Sequence, residues 1–194
     1  MLLIFLLNII ILYNIINSDL FLGGKNGENI DVAIIMGSDS DLPIMKDSAK
    51  FLDDMGISYE MKILSVHRCP DEAIDYAKNL KNRGVKAIIA GAGGAAHLPG
   101  IFAAVNTCPV IGVPIYSKTL NGIDSLYSIV QMPSGIPVAT VAINGAKNAA
   151  ILAAQIIGVS DENIRNKLAD FKSGLKDAVM KKDSKLQNVG YENY

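Results

Sequence analysis

The chain has no tryptophan, only two cysteines and two histidines, and almost no excess of charge, with 18 Lys and Arg against 19 Asp and Glu. Each shortage excludes something. A formal net charge of −1 over 194 residues leaves no broad electrostatic surface, so the expected partner is a small molecule, not nucleic acid or an anionic membrane. Cys69 and Cys108 lie far apart and belong to no CxxC or Cys/His spacing. That excludes a disulfide framework and a zinc site, and it fits a reducing, cytoplasmic compartment. No metal is expected. The missing tryptophan, beside 17 glycines, indicates a compact fold with tight turns in which the backbone comes close to something.

Half of the residues are apolar, enough for one well-packed domain plus tails. Residues 1–22 stand apart, because Met1 to Ser18 carries no charged side chain and is almost all Ile, Leu, Phe and Asn. The run is long enough to span a bilayer. It has no basic n-region, however, and it ends in Asn17-Ser18-Asp19 without a small-residue cleavage site, which weakens a secretory reading. The first reading is upstream sequence translated from a misassigned start, since these residue types have AT-rich codons. A membrane anchor or signal, and an extension packed on a partner subunit, stay open beside it. Residues 23–30 read as a polar, Gly-rich linker, residues 31–158 as the domain that carries the chemistry, and 159–194 as a C-terminal helix and tail.

From Asp31 onward, short apolar runs alternate with amphipathic stretches, which is the pattern of βαβ units around a parallel sheet. Strands are expected at 32–36, 57–64, 86–90, 110–113 and 138–143. Helices are expected at 42–55, 70–83, 99–105, 124–131, 146–157 and from 160 to about 182, with the last dozen residues frayed. Gly56 and Gly84 stop two of the helices. The helix beginning at Ala146 is rich in alanine, so another backbone, either the sheet or a symmetry mate, is expected to approach it closely.

Both histidines fall where a strand runs into a turn: Ser65-Val66-His67-Arg68-Cys69-Pro70, and Gly91-Ala92-Gly93-Gly94-Ala95-Ala96-His97-Leu98-Pro99-Gly100. In an open parallel sheet, ligands bind in the crevice at the carboxyl ends of the strands. Two imidazoles delivered there are candidates for proton transfer near neutral pH. Arg68 offers a planar fork for a phosphate or carboxylate. Gly37-Ser38-Asp39-Ser40-Asp41 follows the first strand and opens a helix, so its amides and hydroxyls suit an anion and its carboxylates suit sugar hydroxyls. Plainer readings remain at each place. Ser and Asp are ordinary helix caps, His67 and Arg68 can be a turn histidine and a solvated charge, and His97 can be a packed cap. The Gly91–Ala96 string meets the loose GxGxxG/A pattern, but weakly, because no carboxylate closes the following strand at Val113-Pro114. The loop from Tyr116 to Gly122 and the Met132–Pro137 turn are candidates to close over a site or to form subunit contacts.

Together, Gly37–Asp41, Ser65–Arg68, Gly91–Gly100, Gly112-Val113-Pro114 and Asp124–Pro133 closely resemble the PurE family, the N5-carboxyaminoimidazole ribonucleotide mutases of purine biosynthesis. The resemblance covers about Asp31 to Gly158, with five segments matching in order. It implies an α/β, three-layer flavodoxin-like fold with a central parallel sheet, a homo-octamer with sites at subunit contacts, and no cofactor or metal. The implied reaction releases the carboxylate of the substrate as carbon dioxide and captures it at ring carbon 4. In that comparison His67 matches the general acid/base. Ser38, Asp41 and Arg68 match the grip on the ribose phosphate, and the turn holding Ala92, Gly93, His97 and Leu98 matches the wall around the base and carbon dioxide; Ser65 belongs to the same substrate-binding set.

The chain departs from the family string at Val66 and Cys69, where Ala and Thr are common, and Cys69 raises the prospect of thiol sensitivity. It is also shorter than many relatives around Asn144–Lys147, which bears on subunit contacts. Two other readings stay open: an aminoimidazole ribonucleotide carboxylase using free carbon dioxide, against which Arg68 stands because such carboxylases usually carry Lys there, and a flavodoxin-like nucleotide- or flavin-binding module.

Overall fold

The computed structural model describes residues 30–194, so the apolar segment 1–22 and residues 23–29 of the linker lie outside the described residues. Strands β1 (Val32–Met36), β2 (Tyr59–Ile63), β3 (Ala87–Gly93), β4 (Val110–Ile115) and β5 (Ala139–Thr140) form one sheet in the order β2-β1-β3-β4-β5. Every neighbouring pair is parallel. The helices are α1 (Leu42–Met55), α2 (Pro70–Asn79), α3 (Leu98–Val105), α4 (Ile123–Val130), α5 (Ala146–Gly158) and α6 (Glu162–Val189). This is the expected flavodoxin-like order, whose topological switch point lies between β1 and β3.

The continuous apolar runs of β1 and β4 are buried throughout, as strands covered on both faces must be. Alternate residues feed opposite layers. Val32, Ile34 and Met36 pack with Met45 and Leu52 of α1, the alanines of α5, and Ile164 and Leu168 of α6. Ala33 and Ile35 pack with Ala73 and Ala77 of α2, Phe102 of α3 and Ile129 of α4. Each large apolar side chain so buried contributes about 1.5–3 kcal/mol. The alanine face of α5 lies against the sheet and α1, where the Ser48 hydroxyl donates to the Ala146 carbonyl at 2.7 Å in the interior.

Several boundaries differ from the sequence expectation for physical reasons. β3 runs on to Gly93, because Ala92 and Gly93 pair with Pro114 and Ile115 of a longer β4, so half of the Gly-rich segment is strand. β5 is only two residues long; beyond it the contact with β4 is reduced to isolated backbone bonds, from the Val141 amide to the Gly112 carbonyl at 3.1 Å and from the Asn144 amide to the Pro114 carbonyl at 2.8 Å. The helix expected over 70–83 relaxes after Asn79 into a 3-10 turn, Leu80–Arg83. The final helix does not fray near Lys182. It continues through Gly174 to Val189 and stops at Gly190, the glycine that turns to a positive φ of 72°.

Gly112 in β4 shows how tightly the second layer is packed. A Cβ there would lie 2.4 Å from Ile129 Cγ2 and 2.9 Å from Val138 Cγ1, both on branched side chains with little room to move. Gly112→Ala is expected to cost about 1–3 kcal/mol through overpacking and to lower the thermal midpoint. Gly174→Ala, in exposed helix with open space around it, should melt no lower than the parent chain.

Candidate active site

The carboxyl ends of β1, β2, β3 and β4 enclose a cavity of about 470 Å³. All nine residues singled out from the sequence line it: Ser38 and Asp41 after β1, Ser65, His67 and Arg68 after β2, and Ala92, Gly93, His97 and Leu98 at the end of β3. Residues spread over sixty positions meet there because parallel strands deliver all their carboxyl ends to one edge.

The first turn separates capping from other roles. Ser38 caps the short 3-10 turn Asp39–Asp41, its Oγ accepting from the Ser40 amide at 3.3 Å and from the Ser40 hydroxyl at 2.9 Å. Asp41 stands at the N-cap of α1 yet makes no capping bond. It is buried, and burial pushes its carboxyl above the usual carboxylate value, although hydrogen bonds from Ser40 and the Ser38 backbone oppose the shift. An acidic side chain held there without a capping bond of its own or a cation is costly.

The second turn is built by Ser65. Its carbonyl accepts from the Cys69 amide at 2.9 Å and from the Cys69 thiol at 3.2 Å, while its Oγ accepts from the Arg68 amide at 3.3 Å. Arg68 reaches across to the first turn, donating to the Gly37 carbonyl at 2.8 Å. Among the described residues it has no carboxylate at ion-pair distance, so most of its five donors remain for an anion. Cys69 is a free thiol, engaged with the turn backbone.

The third turn follows from Gly94, whose φ of 61° suits glycine. The Gly94 amide donates to Ser125 Oγ at 2.9 Å, and that hydroxyl donates to the Ile115 carbonyl at 2.7 Å. Ser125 is fully buried, and it ties the Gly-rich turn to the end of β4. His97 then sits at the N-cap of α3, but its side chain caps nothing. Instead, His67 Nε2 lies 2.9 Å from His97 Nδ1, and the two rings meet edge to face with centroids 5.0 Å apart. Both histidines and Arg68 are exposed at the mouth, whereas Val66, Ala92 and Leu98 are buried and give the cavity an apolar wall.

Sequence reasoning missed part of this lining. Ser40 and Gly94 lie inside motifs that were recognised, but Ile115 and Ser117 come from the end of β4 and the loop beyond it. That loop is held by Asn144 Oδ1, which accepts from the Tyr116 amide at 2.9 Å, and by Ser117 donating to Asp124 at 3.0 Å. Tyr116 lines the mouth, as the expected closing loop would. The Met132–Pro137 turn does not reach the cavity and instead lines a separate depression with Val130 and Val138. A signal for Ser125 was present, because a serine four positions before Ile129 falls on the buried stripe of α4. Among the described residues, no group of three or more His, Cys, Asp or Glu side chains is placed to hold a metal ion.

The fold and the cavity define a class: α/β proteins that hold a small molecule at the switch point of a parallel sheet. The chain belongs to the AIR carboxylase family, whose model matches residues 31–178. The N5-carboxyaminoimidazole ribonucleotide mutase of Thermotoga maritima is 57% identical over 163 residues, covering 84% of this chain and 95% of that protein. The phosphoribosylaminoimidazole carboxylase of Schizosaccharomyces pombe is 53% identical over 163 residues, which make up 30% of its own length. The crystal structure of Treponema denticola PurE superposes with a TM-score of 0.74 at 32% identity, covering 80% of this chain and 97% of that one.

Asp41 generates a test of this geometry. With its pKa raised in the folded state, the native protein holds the proton to higher pH than the unfolded chain. Stability is therefore lost as the pH rises from the ordinary value of 3.8 through the raised one, the reverse of a salt-bridged carboxylate. Asp41→Asn should remove that loss. Between about pH 4 and about pH 7 its thermal midpoint is expected to climb relative to the parent chain; parallel profiles for the two proteins would contradict a carboxylate disfavoured by burial.

Proposed function

We propose that this chain is an N5-carboxyaminoimidazole ribonucleotide mutase. It converts its substrate to 4-carboxy-5-aminoimidazole ribonucleotide on the route to IMP, using no cofactor or metal. The observation that carries the reading is the convergence of His67, Arg68 and the Ser38–Asp41 turn on one apolar-walled cavity, in a chain that matches its mutase-named relatives over 92–95% of their length. The relatives named carboxylase are matched over 28–30% of their length.

In this reading the free donors of Arg68 and the hydroxyl-rich turn at Ser38 take the ribose phosphate, and the Asp41 carboxylate accepts from ribose hydroxyls. Ser65 holds Arg68 in place. The bond from N5 to the carboxylate breaks, its electron pair returns to N5, and N5 takes a proton. Carbon dioxide is neutral, so only a dry, enclosed space keeps it from escaping, and the wall formed by Val66, Ala92, Gly93 and Leu98 suits that task. Carbon 4 then bonds to it and gives up its proton to His67. The open mouth at His67, Arg68 and His97 fits a homo-octamer in which a neighbouring subunit completes the site. Two free thiols fit a cytoplasmic enzyme.

Two assays on the full chain test this: N5-carboxyaminoimidazole ribonucleotide without added bicarbonate, and aminoimidazole ribonucleotide with it. Turnover of the first, independent of bicarbonate, is the expected result. Turnover of only the second, at low bicarbonate, would make the chain a carboxylase, and silence on both would make it a binding module. His67→Asn should lower kcat by about 10²- to 10⁴-fold, the usual contribution of a positioned acid/base group, with the melting temperature unchanged because the His67 ring is exposed.

A further inference from the structure

We infer that His97 is the second half of a two-imidazole proton relay with His67, an inference that rests on the mutase reading above. The only two histidines of the chain lie on different strand-end turns, yet His67 Nε2 and His97 Nδ1 stand 2.9 Å apart with the ring planes at 88°. Two ring nitrogens at that distance share one proton between two lone pairs. Nothing in α3 requires the imidazole: the His97 carbonyl accepts from the Ile101 amide at 3.1 Å, its amide donates to the Ala95 carbonyl at 2.8 Å, and its side chain makes no capping bond. The ring is free to serve the cavity it lines.

The shared proton couples the two outer nitrogens, His67 Nδ1 and His97 Nε2. When the proton belongs to His67, its Nδ1 is an acceptor and His97 Nε2 is a donor; when it belongs to His97, the roles exchange. A proton taken up at one outer nitrogen and another released from the other leave the pair neutral but with the two roles exchanged, after one transfer across the 2.9 Å contact; proton exchange with water at the exposed rings restores the starting tautomers before the next turnover. The proposed reaction has this same balance. N5 recovers the electron pair of its broken bond and takes a proton, while carbon 4, having used a ring electron pair to bond carbon dioxide, releases a proton and restores the aromatic ring. One proton enters the substrate and one leaves it, at two different atoms. A single imidazole must turn over between those atoms. A hydrogen-bonded pair presents a donor and an acceptor together.

The test uses the full chain labelled with [15N]imidazole histidine, in which two histidines give four ring-nitrogen signals in a magic-angle-spinning spectrum. A through-space correlation between His67 Nε2 and His97 Nδ1 is expected, and His97→Phe should move the His67 Nε2 signal. Both His97→Phe and His97→Asn should lower kcat by about 100-fold with KM changed by less than about 3-fold. Asparagine places an amide where Nδ1 stands, so it holds the His67 ring but has no second ring nitrogen to pass a proton. Recovery of near-parental kcat in His97→Asn would reduce His97 to a positioning residue and overturn the relay, as would full activity in both variants or the absence of the correlation in the parent chain. If the parent chain fails to turn over N5-carboxyaminoimidazole ribonucleotide, the mutase reading fails and takes the relay with it, while the nitrogen–nitrogen contact is still decided by the spectrum alone.

Discussion

The parallel direction of all five strands is the constraint on which everything else depends. Parallel neighbours cannot be joined by hairpins, so each crossover carries the chain back along a helix and every strand ends at the same edge. The ends of β1, β2, β3 and β4 therefore surround one crevice, and residues as distant in sequence as Ser38 and Ser117 come to share it. The two apolar layers exist to keep that edge in register. The alternation of Val32, Ala33, Ile34 and Ile35 between them would be reversed by a one-residue slip.

At that edge, polar groups divide into those that build the turns and those left over. Ser125 spends both of its hydrogen-bonding roles on the Gly94 amide and the Ile115 carbonyl, and Ser65 shapes the turn beneath Arg68. Asp41, His67, His97 and four of the donors of Arg68 have no comparable structural task. Asp41 in particular sits where burial disfavours its charge. A carboxylate held at that disadvantage, beside a guanidinium with free donors and two imidazoles in contact, is the combination expected of a crevice that binds a ligand.

Much of this was legible in the sequence. The buried strands read as uninterrupted apolar runs, glycines marked the helix ends at Gly56 and Gly84, and the nine chosen site residues all line the cavity. Three things were not legible. Strand pairing beyond Ala90 depends on the partner strand, so the extension of β3 to Gly93 is a tertiary effect invisible in local pattern. The contact between His67 and His97 depends on how two turns are aimed at each other, which spacing does not encode. The persistence of α6 to Val189 runs through Gly174, which keeps helical dihedrals, and past the point where chain ends commonly fray, to the left-handed Gly190.

In the proposed mutase the crevice orients a nucleotide with its phosphate at the first two turns and its imidazole ring at the two histidines. A crystal structure of the full chain with aminoimidazole ribonucleotide bound tests it most directly. The phosphate is expected on the Ser38–Asp41 turn and Arg68, with ring carbon 4 within about 3.5 Å of an imidazole nitrogen, the separation of a reacting pair. A ligand bound with its ring turned away from His67 and His97, or seated elsewhere on the molecule, would contradict it.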